Sequence, residues 1–400
     1  MLIKAAYLIL LAIGSFNRIY GHCEESYMMF CDCVSDIRNY KSGNWTDVVI
    51  KSGKTSCSSA IKSNSFEKLD EIKILFIVDQ IETIEKFAFK QIGQTLKVLK
   101  LYGNALNLVK SGTFSGFRKL SQLSLVNNNI ELIEEKSFES SVIKNLDLSR
   151  NKIEMIAADT FAESEITKIV LRYNRLSYIN EDAFNKHLEI LQLDYNNLEH
   201  LQGGFASKSP KLRELTISHN KLSHVSDVPS LVKANKLDFS FNNINHINLP
   251  EFEDFKDLTF LDLSSNKLET FSLNYFKKVK TERLTLLLSY NLLTNVKFKD
   301  DTKPMTLTLF GNPWNCKCLE KMQKHMLQNN FSTTKCDLEL FKCGLLPVCI
   351  EQGECEDSQP VENRDDLKRF MQVVQRQKGS LVCDVFRDTG PRFVVGIRSR

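Results

Sequence analysis

Much of what decides the class of this chain is missing from it. Between Cys57 and Cys316 lie 258 residues without a cysteine, so that stretch has to hold together by burial and hydrogen bonding alone. After the first twenty-one residues no apolar run approaches the roughly eighteen residues of a membrane-spanning helix, and membrane insertion is not expected. Charge of one sign is also scarce. The net charge of +4 falls to about +2 once Lys4 and Arg18 go with the leader described below. No Lys/Arg-rich block offers a nucleic-acid surface. Catalytic wording is absent as well: there is no H-E-x-x-H, no phosphate loop, no dinucleotide fingerprint and no G-x-S-x-G, since "GTFSG" at Gly112 misplaces Ser115. The reading is therefore of a protein that is not an enzyme and needs no cofactor and no metal.

What is present points outward from the cell. Lys4, the apolar run Ala5 to Ile13 and the small residue Gly21 form a signal-peptide pattern over residues 1–21. Sequons at Asn44 and Asn330 suit that route as glycosylation sites. The eleven cysteines fall as Cys23, Cys31, Cys33 and Cys57 at one end and Cys316, Cys318, Cys336, Cys343, Cys349, Cys355 and Cys383 at the other. Two clusters around a cysteine-free body predict two disulfide-stapled caps, over 22–70 and 312–360, in an oxidising compartment.

The body, 71–314, is a repeat. The frame L-x-x-L-x-L-x-x-N-x-L recurs as "LKVLKLYGNAL", "IKNLDLSRNKI", "LEILQLDYNNL" and "LTFLDLSSNKL", among others. Its Asn column runs Asp79, Asn104, Asn128, Asn151, Asn174, Asn196, Asn220, Asn242, Asn266, Asn291 and Asn312, at spacings of 21 to 25 residues. That period is the leucine-rich repeat range. The predicted fold is α/β, a leucine-rich repeat solenoid or horseshoe of about eleven coils, with a parallel β-sheet on the concave face and disulfide-bonded caps. In each L-x-L the leucines turn inward. The Asn amide is expected to donate to buried carbonyls of the neighbouring coil. Ten residues after the Asn place sit Phe89, Phe114, Phe138, Phe161, Phe184, Phe252 and Phe276, with Phe205 one place early. They predict a stacked structural spine rather than a cofactor box.

After these repeats, "NPWNCKCL" at 312–319 resembles the N-P-W-x-C-x-C opening of the cysteine-rich C-terminal flank of extracellular leucine-rich repeat proteins. The resemblance covers about residues 60 to 355. It implies that Cys316 and Cys318 each pair with a later cysteine and that Trp314 takes the last apolar place. The repeat wording and capping style resemble insect Toll-type ectodomains and the leucine-rich immune molecules of mosquitoes, whose long coiled coil has no counterpart here. A zinc site of Cys316, Cys318, Cys336 and Cys343 is disfavoured, because C-x-C falls short of the usual C-x-x-C bite and exported thiols oxidise. Seven cysteines cannot close among themselves, and the isolated Cys383 is expected to be a free thiol or the bond of a disulfide-linked dimer. Within the tail, 361–400, Leu367, Phe370, Met371 and Val374 fall on one face of a short helix.

Binding should be read from the positions between the leucines. Leu75, Ile77, Val98 and Tyr102, followed by Val126, form one candidate apolar patch on the concave face, the competing reading being that the N-terminal cap folds over them. Arg172, Tyr173, Asp194, Tyr195, His219 and Phe241 form a second, of residue types favoured in interfaces, although "SYN" and "SHN" are also ordinary repeat wording. Together these features predict a secreted recognition protein engaging a protein or glycan, with a role in innate immunity as one expectation. Extracellular matrix or adhesion work is the alternative.

Overall fold

The computed structural model describes residues 24–25, 29–31, 33–34, 46–51, 349–350, 355, 367–368, 370, 372 and 58–333, the last apart from 68, 70, 79, 202–203, 226–230, 248–254, 277–278, 280–283 and 300–301. Asp79, Phe252, Cys23, Cys57, Cys336, Cys343, Cys383, Asn44 and the leader lie outside the described residues. A fourteen-stranded sheet dominates it. Each of the eleven repeat units contributes one strand, from Ile74–Val78 through Val98–Leu101 and Ile190–Gln192 to Thr306–Thr308, and neighbouring units pair in parallel. Strands Met29–Cys31 and Asp47–Lys51 extend the sheet at its N-terminal end, and Glu24–Glu25 closes that edge antiparallel to Met29–Cys31.

The L-x-L alternation makes these strands. In Val98–Leu101 half-buried and buried residues alternate, and Leu99 pairs in register with Leu75 and Leu123. Stacking copies of one strand therefore builds a continuous leucine core that no single coil could enclose.

The asparagines turn the chain as expected. Asn196 donates through Nδ2 to the carbonyls of Leu171 and Leu193 at 3.0 and 2.9 Å, while its Oδ1 accepts from the Leu176 N–H at 3.0 Å. Asn174, Asn220, Asn242 and Asn266 repeat the scheme. Each ties two coils together, and successive asparagines share the buried carbonyls: Leu171 also accepts from Asn174, and Leu193 from Asn220. The phenylalanine spine is also present: Phe66, Phe89, Phe114, Phe138, Phe161 and Phe184 stack successively with centroids 5.5 to 5.9 Å apart. Phe66 extends it one coil beyond the predicted column.

At the C-terminal end Trp314 is fully buried and its indole N–H donates to the Leu309 carbonyl at 3.1 Å. Asn315 then accepts from the N–H groups of Lys317 and Cys318 and so caps a helix, Cys316–Gln328. Leu319 and Met322 turn the apolar face of that helix onto the core. Cys316 is bonded to Cys349 and Cys318 to Cys355, so the first two cysteines reach past Cys336 and Cys343. Cys31 and Cys33 are also disulfide-bonded. Leu367, Lys368, Phe370 and Gln372 are helical, and Phe370 is buried. No helix among the described residues is long and apolar enough to cross a membrane.

Candidate binding face

The outward side chains of the sheet do not coincide fully with those expected. Leu75 and Ile77 are both 0% exposed and belong to the core. The frame counted back from Asp79 put them outside. However, the segment from Ile77 to Ile81 is one residue shorter than its counterpart from Leu101 to Leu106, and a one-residue shift exchanges the two faces of a strand. Ile74, Phe76 and Val78 face outward in their place, half-buried. Val98 and Val126 are half-buried on the same face, and Tyr102 is 51% exposed. The N-terminal part of this face therefore carries Ile74, Phe76 and Val78 in place of Leu75 and Ile77, beside Val98, Tyr102 and Val126.

The second candidate group converges. The residue before each ladder Asn adopts a left-handed backbone: φ is +57° at Arg150, +55° at Tyr173, +58° at Tyr195, +53° at His219 and +52° at Phe241. That conformation tips the side chain out of the strand at the edge of the sheet. Because one such residue occurs per coil, the rings meet. Tyr173 stacks on Tyr195 at 4.3 Å, Tyr195 on His219 at 4.0 Å and His219 on Phe241 at 4.2 Å, with planes within 12°. The Arg150 guanidinium lies 4.6 Å from the centre of the Tyr173 ring. Tyr173, Tyr195 and Phe241 remain about two-fifths exposed.

Asp194 anchors the sheet under this ladder. It is buried, and it accepts from Arg172 Nε at 2.6 Å, Thr216 Oγ1 at 2.6 Å, Ser218 N at 3.0 Å and Ser218 Oγ at 2.9 Å. One carboxylate thereby joins three coils, and a charge so buried requires this many donors. Burial, and then the neighbouring Tyr173, pushes the Tyr195 hydroxyl above the usual phenol range. Asp238 and Asp262 are Cα partners in adjacent strands and both are buried. Ser240 caps the first through its N–H and hydroxyl, and the Ser264 N–H caps the second. Burial raises the Asp238 carboxyl. Burial first and the Asp238 charge second push Asp262 up to about 7, against the pull of its hydrogen bonds to Ser264.

A family model of the BspA-type leucine-rich repeat region matches residues 59–191 and 109–228 in six copies, and a general leucine-rich repeat model matches 257–279. The fold is the leucine-rich repeat solenoid. Comparison with curated protein sequences gave no match. Among solved structures, the leucine-rich repeat domain of APL1B is similar at a TM-score of 0.55 and 17% identity, over 89% of this chain and 93% of that one. A chain of the LRIM1/APL1C complex is similar at 0.50 and 20%, over 89% and 74%. A chain of the Drosophila Toll–Spätzle complex is similar at 0.53 and 19%, over 79% of this chain and 48% of that one. At such identities the likeness concerns the fold. Leucine-rich repeat folds are typically non-enzymatic binding scaffolds.

Proposed function

We propose that this chain is a secreted recognition protein that holds a macromolecular partner against the Tyr173–Phe241 edge of its main sheet. The observation that carries this reading is the exposed ladder itself. Four rings from four successive coils are fixed by backbone and by mutual stacking, so they present rigid amphipathic area at little entropic cost on binding. A protein is the favoured occupant, in keeping with the complexes formed by LRIM1 with APL1C and by Toll with Spätzle. Export through the leader, glycosylation at Asn44 and at the exposed Asn330, and a part in innate immunity complete the proposal.

The experiment is affinity capture from body fluid with the purified mature protein, run beside the Tyr173→Ala/Tyr195→Ala variant. The captured partner should be lost with the variant while secretion and folding are kept. Equal capture by both proteins would remove the ladder from the binding face.

A further inference from the structure

Lys73, Lys97, Arg118, Lys119 and Lys144 are scattered in the sequence, and the coil period gathers them. They come from four successive coils, each from the few residues that lead into or open a strand of the main sheet. The pairing sets them side by side: the Lys97 N–H donates to the Lys73 carbonyl and the Ser121 N–H to the Lys97 carbonyl, both at 2.7 Å. The register of Leu120 with Ile143 and of Gln122 with Asn145 then puts Lys144 beside Ser121 and Lys119 beside Val142. Lys97 is half-buried and the other four side chains are exposed. Over residues 71–73, 95–97, 118–121 and 142–144 there is one acid, Glu71, and no aromatic residue. The ion pairs among the described residues join other groups, such as Lys136 with Glu163 and Arg213 with Glu189, and none holds any of these five cations. Where the same coils leave the sheet the sign reverses, with Glu82, Glu131 and Glu154 exposed three residues after the Asn places of their coils.

We propose that this strand-entry flank is a binding rail for a linear sulfated polysaccharide. Parallel strands lie about 4.8 Å apart, so the four coils place five cations along about 14 Å in nearly single file. The spacing is shorter than the screening length of about 8 Å at physiological salt. The positive fields therefore add, and a chain carrying regularly spaced sulfates relieves the mutual repulsion of the cations. Lysine ammonium groups hold such anions as point charges without a fixed fork geometry, which suits a polymer whose sulfates vary in position. The layout favours this polymer over other polyanions. A nucleic-acid single strand is held by aromatic side chains on which its bases stack, and the entry segments have none. A membrane surface takes up apolar groups beside the cations, and Val142 is the one exposed apolar side chain of these segments. The rail lies in coils other than those of the Tyr173–Phe241 ladder, so its failure would leave that reading untouched.

The test is titration calorimetry of the full chain with a heparin-derived oligosaccharide and with its desulfated counterpart. Oligothymidylate and vesicles of phosphatidylserine and phosphatidylcholine in equal parts serve as the other polyanions. Saturable binding of the sulfated chain is expected, weakening as salt rises, with no response to the desulfated one. Arg118→Gln/Lys119→Gln/Lys144→Gln should lower the affinity by about tenfold or more. Lys110→Gln/Lys152→Gln/Arg175→Gln, which removes the same charge from the exit flank, should bind as the wild type does. Circular dichroism should be the same for all three proteins. Absence of saturable binding by the wild type, a loss smaller than tenfold in the first variant or an equal loss in the second overturns the proposal. So does binding of oligothymidylate or of the vesicles as tight as that of the sulfated chain.

Discussion

Tyr195 and His219 lie face to face, with ring centres 4.0 Å apart and planes within 9°, although 24 residues separate them in the chain. The solenoid brings them together because parallel strands sit about 4.8 Å apart, close to the contact distance of two aromatic faces. A side chain repeated at one place per coil therefore stacks without further arrangement. A double-mutant cycle on Tyr195→Ala and His219→Ala should give a coupling energy of about 0.5 to 1.5 kcal/mol. Denaturant unfolding of the four proteins measures it, and additive effects would mean that the rings merely lie near each other.

The carboxyl of Asp262 gives a pH dependence with a definite sign. Its ordinary value is near 3.9 in an unfolded chain, and in the fold it is pushed up to about 7 by burial and by Asp238. Between those values the folded state holds a proton that the unfolded state has released. This residue's contribution therefore falls as pH rises from about 4 to about 7 and is level above that, by up to about 4 kcal/mol. Asp262→Asn keeps an acceptor for the Ser264 N–H but cannot ionise. Its urea midpoint should exceed that of the wild type at pH 8 and match it at pH 4; a difference independent of pH would count against the raised carboxyl.

How much of this could be read beforehand depends on whether a residue acts once per coil. The leucine, asparagine and phenylalanine columns were legible because the solenoid gives every copy the same neighbours, so Asn174 and Asn242 do the same work. Leu75 and Ile77 were misplaced where the period slips by one residue, a change with no local signature beyond length. Strands Met29–Cys31 and Asp47–Lys51 carry no leucine frame and join the sheet through pairing alone. The burial of Asp238 and Asp262 was hidden because "LDFS" and "LDLS" read like solvated repeat wording. The cap helix Cys316–Gln328 did have a signal, an N-cap Asn315 followed by Leu319, Met322 and Met326 at helical spacing.

Removing one rung of the asparagine ladder should be costly out of proportion to its size. Asn196→Ala takes one of two donors from the carbonyls of Leu171 and Leu193, which keep Asn174 and Asn220, and strips the acceptor from the buried N–H of Leu176, at about 1 to 3 kcal/mol for that group left unmade. Asn196→Asp should be at least as damaging, since it keeps an acceptor, loses both donors and buries a charge. Chemical denaturation of the two variants checks the order, which would be wrong if Asp were the milder change.

Phe138 lies between Phe114 and Phe161 in the spine, with centres 5.7 and 5.5 Å away, and it is fully buried. Phe138→Ala should cost about 3 to 5 kcal/mol, because the loss of transfer energy adds to a cavity that stacked rings above and below cannot collapse into. Phe138→Leu should recover most of this by refilling the volume. Unfolding midpoints of the two variants separate a packing role from a general dependence on an aromatic ring.

Cysteine counting gives the last expectation. Of the seven C-terminal cysteines, Cys316 and Cys349 form one bond and Cys318 and Cys355 another, which leaves Cys336, Cys343 and Cys383. If the two that lie seven residues apart in the chain, Cys336 and Cys343, close on each other, Cys383 has no partner within the C-terminal group. The chain should then show either one titratable thiol per monomer in denaturant or a dimer that dissociates on reduction. Cys383→Ser should abolish whichever is seen and leave the yield of folded protein unchanged, because the Cys316–Cys349 and Cys318–Cys355 disulfides remain. A thiol or a reducible dimer that survives Cys383→Ser would place the odd cysteine elsewhere, and a fall in yield would mean that Cys383 belongs to the folded cap.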